Sequence, residues 1–252
     1  MKTRLILLVL LMSAPAIFGQ LKTVSSILSD PQTVTFYAKD SVLISADTYF
    51  IEKPKATILL CHQAGFSRGE YLVTAKKLNA LGYSCMAIDQ RSGKEVNGVK
   101  NRTAINANDK QMNVGYAGAK KDLEAAIDYL YKYNNDQAII VVGSSYSASL
   151  ALWIAGERNK KVKAVAAFSP GEYLKGKNLA QLIRPIKIPV FVTSSKREIG
   201  PVTRLLRNVN TKYLNHYKPQ EKGIHGSRAV WESTAGYKGY WQAFTSFLSE
   251  QL

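Results

Sequence analysis

The sequence Ala-Ile-Ile-Val-Val-Gly-Ser-Ser-Tyr-Ser-Ala-Ser at residues 138–149 passes from five apolar residues directly into small, hydroxyl-bearing ones. The Ile/Val run is of buried-strand type, and the Ala/Leu-rich residues 146–157 that follow read as a helix. A small residue, any residue, Ser, any residue and a small residue between a strand and a helix is the pattern of a sharp turn. That turn presents the middle serine at the sheet edge. The flanks must be small because strand and helix nearly touch there. Ser145 meets the pattern, with Gly143 and Ser147 as flanks. Ser147 also fits formally, between Ser145 and Ser149, but lies two residues deeper in the helix. Ser144 fails, because Val142 and Tyr146 are not small. The departure is Ser147 itself, where the pattern prefers glycine.

Working outward, residues 33–38 and 41–48 are β-rich and parted by Lys39-Asp40, which predicts a hairpin. Short apolar runs at 57–61, 84–88, 162–168 and 188–193 read as buried strands, and 211–217 as a last strand. Helical spacing appears at 68–80, 116–133, 201–209 and 237–251. The polar, Asn-rich stretch 90–114 reads as a long loop. Strands alternate with helices, and most strands are apolar on both sides. The expected fold class is therefore α/β: a mainly parallel, twisted sheet of about eight strands with helices on both faces. Chemistry in such sheets collects at the carboxyl ends of the strands.

A serine nucleophile needs a base, and the chain has three histidines. His62 follows the strand 57–61, and His216 lies inside the last strand. His225 stands in the Gly-flanked loop Lys222-Gly223-Ile224-His225-Gly226, free to reach over the strand ends, and is the expected base. The base needs a carboxylate to fix its tautomer. Glu198 is the acid in the loop after 188–193; Glu172, after the preceding strand, is its rival. The order Ser145, Glu198, His225 matches the chain order that accompanies this kind of turn. Two backbone N–H groups must face the developing oxyanion. One is that of Tyr146, after the nucleophile. The other comes from His62-Gln63-Ala64-Gly65, where Gln63 and Ala64 both qualify. His62 braces that turn. His62, Arg91 and Glu172 are candidates to line the substrate site. Arg91 and Arg102 would bring positive charge there and favour an anionic substrate; alternatively, Arg91 pairs with Asp89 and shapes its loop.

The chain has 252 residues and a formal charge of +16, with its basic residues scattered in pairs rather than blocks. No aromatic pattern interleaves them, so a nucleic-acid reader is not expected. Lys2 and Arg4, the apolar run Leu5–Met12, Pro15 and small residues to Gly19 have the layout of a secretory signal peptide. Cleavage after Ala16 or after Gly19 both satisfy it; a retained N-terminal anchor is the alternative. The expected organisation is a signal peptide at 1–19 and one domain at 20–252, exported to the periplasm or outside the cell. No stable membrane insertion is expected of that domain. Cys61 and Cys85 both fall inside buried strands. With their turns at one height, Cys85 sits about three residues, or roughly 10 Å, below Cys61. That exceeds the reach of a disulfide, so two free thiols are expected.

Taken together, His62-Gln63-Ala64-Gly65, Asp89-Gln90-Arg91-Ser92-Gly93, the turn at Ser145, Glu198 and Ile224-His225-Gly226 resemble an α/β-hydrolase of the dienelactone-hydrolase-like branch, over residues 33–251. The resemblance implies ester hydrolysis without cofactor or metal. Dienelactone hydrolase carries a cysteine nucleophile and an Asp acid where this chain has Ser145 and Glu198, so its lactone substrate does not carry over. The expected activity is hydrolysis of small carboxylic esters through a Ser-Glu-His triad. The alternatives are a peptidase or thioesterase on the same triad, or a catalytically silent binding protein. About twenty residues separate the strands 162–168 and 188–193, too few for a large lid.

Overall fold

The computed structural model of the protein describes residues 30–157 and 159–252. The segment 1–19, expected from its sequence to be a signal peptide, lies outside the described residues. The elements in order are β1 (Gln32–Tyr37), β2 (Leu43–Tyr49), β3 (Ala56–Cys61), α1 (Leu72–Ala80), β4 (Tyr83–Ile88), β5 (Glu95–Val96), β6 (Val99–Lys100), α2 (Arg102–Asp109), α3 (Lys120–Tyr133), β7 (Ile139–Ser144), α4 (Tyr146–Gly156), β8 (Val162–Phe168), α5 (Leu179–Leu182), β9 (Val190–Thr193), α6 (Ile199–Leu206), β10 (Leu214–His216) and α7 (Tyr237–Ser249).

Eight strands form one sheet in the order β1-β2-β4-β3-β7-β8-β9-β10. The β1–β2 hairpin runs antiparallel at one edge, β2 pairs antiparallel with β4, and β4, β3, β7, β8, β9 and β10 run parallel to one another. The apolar strands bury both faces. Leu59 and Met86 face the cluster built by α3, α4, α5 and α6, while Ile58 and Ala87 face the one built by α1 and α7. That is the physical content of an apolar run without alternation. The register aligns the strand ends: Cys61 stands opposite Ile88 and Gly143, and Phe168 opposite Ser144 and Thr193. The turns after β3, β7, β8 and β9 therefore open at one level, which brings distant residues to a single place.

Cys85 pairs in register with Ile58, three residues below Cys61, and both thiols are free and buried. They also face opposite sides of the sheet.

Several boundaries differ from the sequence reading. Residues 90–114 are not one loop but hold the β5–β6 ribbon and α2. Asn101 caps α2 by accepting from Ala104 N–H at 2.7 Å, and Thr103, Ala104 and Ala107 bury its inner face against β2. The first helix opens with a 3-10 turn, Arg68–Tyr71, before α1. α3 starts at Lys120 and not at 116, because residues 116–119 are turns. α6 begins at Ile199, two residues before Pro201. The last strand shrinks to Leu214–His216, after a 3-10 turn at Thr211–Tyr213. No helix among the described residues is long and apolar enough to cross a membrane.

Candidate active site

β7 delivers the chain to Ser145 in a conformation that most residues avoid, φ 61° and ψ −119°. Such a backbone costs about 1–3 kcal/mol and persists only where the surroundings enforce it. Here three contacts do so. Ser145 N–H donates to Phe168 O at 2.8 Å. Gly143 lies so close to α4 that an added Cβ would sit 2.5 Å from Ala148 Cα and Ser147 O. Ser147 Oγ accepts from Ser144 N–H at 2.8 Å and donates to Cys61 O at 2.8 Å. The serine that departs from the glycine preference thus ties the turn to the end of β3, a bond glycine cannot make.

The long loop after β10 carries His225 over this turn. Its Nε2 lies 2.8 Å from Ser145 Oγ, and its Nδ1 lies 2.5 Å from Glu198 Oε1. With the proton on Nδ1 facing the carboxylate, Nε2 is left to accept from the serine hydroxyl. Glu198 stands in a 3-10 turn after β9. Its Oε2 accepts from Ser195 N–H at 3.0 Å, Ser195 Oγ at 2.7 Å and Ser169 Oγ at 2.9 Å. Burial opposes its ionisation, but the bonds from His225, Ser195 and Ser169 outweigh this and bring the carboxyl down to about 2. Ser169 also accepts Gly226 N–H at 3.0 Å, so one hydroxyl locks the acid to the histidine loop. Tyr173 meets the imidazole edge-on.

Two backbone N–H groups remain for an oxyanion. That of Tyr146, first in α4, has no protein acceptor among the described residues, and neither has that of Ala64. Gln63 is removed from the role: its N–H donates to Glu70 Oε2 at 2.8 Å. A group already bonded to a buried carboxylate has no hydrogen left for a substrate oxygen.

The remaining expectations need correction. His62 does not line a substrate site. It is fully buried, with Nδ1 2.7 Å from Gln63 O and Nε2 accepting from Gln90 N–H at 2.9 Å. Burial lowers its pKa to about 4. Arg91 neither faces the cleft nor pairs with Asp89. It is buried and forked between Asp122 on α3 and Asp40 in the hairpin turn. Asp89 instead pairs with Arg68 at 2.7 Å. Arg91 therefore brings no free positive charge to the site. Glu172 is exposed in the cleft beside Glu198, but its oxygens accept from Leu179 and Ala180 N–H at the start of α5. It does not hold His225. That cleft, roughly 470 Å³, is bordered by Pro170, Tyr173, Glu198, Leu205 and Arg207.

Sequence reasoning missed Ser169, Ser195 and Glu70. Ser195 was findable, since Ser-x-x-Glu is a capping-box spacing and both of its bonds are present. Ser169 and Glu70 gave no local signal. Among the described residues no cluster of His, Cys, Asp and Glu could hold a metal ion.

A family model described as serine aminopeptidase, S33, matches residues 52–226, which includes Ser145, Glu198 and His225. The chain belongs to this family of hydrolases. Its fold is the α/β-hydrolase fold that esterases and dienelactone hydrolases share. The esterase Pf2001 of Pyrococcus furiosus superposes with a TM-score of 0.70 at 17% identity, over 88% of this chain and 92% of that one. A dienelactone hydrolase from Anabaena variabilis gives 0.66 at 17% identity, over 88% and 99%. Est1E from Butyrivibrio proteoclasticus gives 0.64 at 13% identity, over 88% and 99%. No curated protein matches the chain in sequence.

Proposed function

We propose that this hydrolase is an exported serine esterase that cleaves small carboxylic esters through Ser145, His225 and Glu198. The observation that carries the reading is the unbroken line of hydrogen bonds from Ser145 Oγ through His225 to Glu198, set beside two unengaged N–H groups. Ser145 Oγ attacks the carbonyl carbon as His225 Nε2 takes its proton. Ala64 and Tyr146 N–H stabilise the oxyanion. His225 then donates that proton to the departing alcohol. In the second half, water gives a proton to Nε2 and attacks the acyl-enzyme, releasing the acid and restoring Ser145. Glu198 stays ionised throughout and stabilises the imidazolium.

The segment 169–189 between β8 and β9 contains only the four-residue α5, which leaves the cleft without a large lid and suits small substrates. An aminopeptidase is the second reading, favoured by the family description. Such an enzyme needs a free carboxylate for the substrate's ammonium group. Glu172, the acid in the cleft besides Glu198, is tied to the start of α5, and this favours the ester reading. Comparing turnover of short acyl esters, acyl thioesters and N-terminally free peptide amides tests it. Ester turnover abolished by Ser145→Ala is expected. Peptide cleavage exceeding ester cleavage would reverse the ranking. Export is tested separately by the mature N-terminus, expected after Ala16 or Gly19.

A further inference from the structure

Glu70 belongs to none of the steps above, yet it is the meeting point of three turns that perform them. It lies in the 3-10 turn before α1 and is 1% exposed. Its Oε2 accepts from Gln63 N–H at 2.8 Å. Its Oε1 accepts from Ser144 Oγ at 2.8 Å and from Ser227 Oγ at 2.5 Å. Gln63 precedes Ala64, Ser144 precedes Ser145, and Ser227 follows His225 by two residues. The three groups come from the ends of β3 and β7 and from the loop after β10.

The three bonds suit a carboxylate that accepts from every side. Gln63 N–H can only donate. Ser144 Oγ accepts Ser227 N–H at 2.8 Å and donates its own hydrogen to Glu70 Oε1. A carboxylate offers only acceptors and meets all three donors; an amide would point N–H groups at some of them. Among the described residues no cation forms an ion pair with Glu70. Burial raises its pKa, opposed by the bonds from Ser227, Gln63 and Ser144 and by the more distant charge of Arg228. A buried charge held by hydrogen bonds alone fixes the geometry of its donors, because each lost bond is expensive. The turns are also in contact here: a Cβ on Gly226 would sit 2.5 Å from Gln63 Oε1 and 2.6 Å from Ser144 Oγ.

We propose that Glu70 is a positioning residue that holds the oxyanion turn, the serine turn and the histidine loop in mutual register. By engaging Gln63 N–H it also leaves Ala64 N–H as the oxyanion donor. This rests on the assignment of Ser145 as nucleophile. The variant is Glu70→Gln, nearly isosteric but with an NH2 donor group in place of one acceptor oxygen. Its kcat and KM on a short acyl ester, its melting temperature, and its rate of labelling by a fluorophosphonate are compared with wild type. On folded protein, kcat and the labelling rate should both fall about 10–100-fold while KM changes by less than about threefold, as expected of a misplacement well under 1 Å. A purely cohesive role would lower the melting temperature and leave the rate per folded molecule unchanged. If wild type labels and folded Glu70→Gln labels and turns over at the wild-type rate, the positioning role is overturned and the Ser145 assignment stands. If wild type itself does not label, the Ser145 assignment fails and takes this proposal with it. If Glu70→Gln does not fold, Ser227→Ala decides. It removes one donor and keeps the carboxylate. A severalfold slower labelling rate supports the role, and an unchanged rate overturns it.

Discussion

Gly143→Ala should damage turnover far more than its one added methyl suggests. The new Cβ would lie 2.5 Å from Ala148 Cα, 2.5 Å from Ser147 O and 2.6 Å from Ala148 N. All three are backbone atoms in the first turn of α4, so no rotamer change relieves them. Ordinary contact begins near 3.4 Å, so strand and helix must separate by about 0.9 Å. Ser145 lies between them and moves with the separation. Its 2.8 Å bond to His225 Nε2 would then stretch past useful length. Overpacking of this kind costs about 1–3 kcal/mol of stability, and a shift near 1 Å at a reacting atom costs about 100-fold in rate. Denaturant midpoints and initial ester hydrolysis rates on folded protein measure the two effects separately. Gly98→Ala is the control: its φ is +75°, but a Cβ there meets nothing within 4 Å. It should lose about 1 kcal/mol from backbone strain and keep full turnover. A Gly143→Ala enzyme within about twofold of wild type in rate would refute the tight-turn argument, since the calculated displacement predicts about 100-fold.

Glu198→Gln should lower kcat by about three to four orders of magnitude, since an amide no longer enforces the Nδ1–H tautomer. The folded pKa of Glu198 is about 2 against an ordinary 4.5, so its contribution to stability is complete above pH 4.5 and disappears as pH falls through 2. Allowing for its partial exposure, the wild-type advantage over Glu198→Gln should shrink by about 2 kcal/mol across that window; parallel acid-unfolding curves would contradict this. His62 behaves as a buried neutral base, with a folded pKa near 4 against 6.5. Stability from its neutral form is full above pH 6.5 and declines towards pH 4, by about 3 kcal/mol. Urea midpoints of His62→Gln should lack that decline. Intact mass without reductant should show both Cys61 and Cys85 as thiols, each slow to alkylate until the protein unfolds. A mass two hydrogens lower would show that the strand register is wrong.

Sequence revealed what is local. The β7-turn-α4 passage carries its geometry in five residues, because only small flanks let strand and helix touch. The alternation of apolar runs with helical spacing revealed the parallel sheet, and the ordered strand ends then placed Ser145, Glu198 and His225 together. What stayed hidden depends on partners far along the chain. Arg91 was set against its neighbour Asp89, yet its partners are 31 and 51 residues away. Helix α2 was hidden because Asn and Asp weaken helix propensity, and its buried face is only Thr103, Ala104 and Ala107. Glu70 in an amphipathic segment reads as solvated surface; its donors are 7, 74 and 157 residues away. The choice between Gln63 and Ala64 turned on one of those bonds, which no local pattern encodes.

The central claim is that Ser145 is an activated nucleophile, and a fluorophosphonate tests this most directly, because it reacts only where a serine hydroxyl is deprotonated in place. Peptide mapping of the labelled protein should find one adduct, on Ser145. Ser145→Ala and His225→Ala should both remain unlabelled while folded. No adduct on folded wild-type protein, or an adduct on Ser147 that survives Ser145→Ala, would contradict the account.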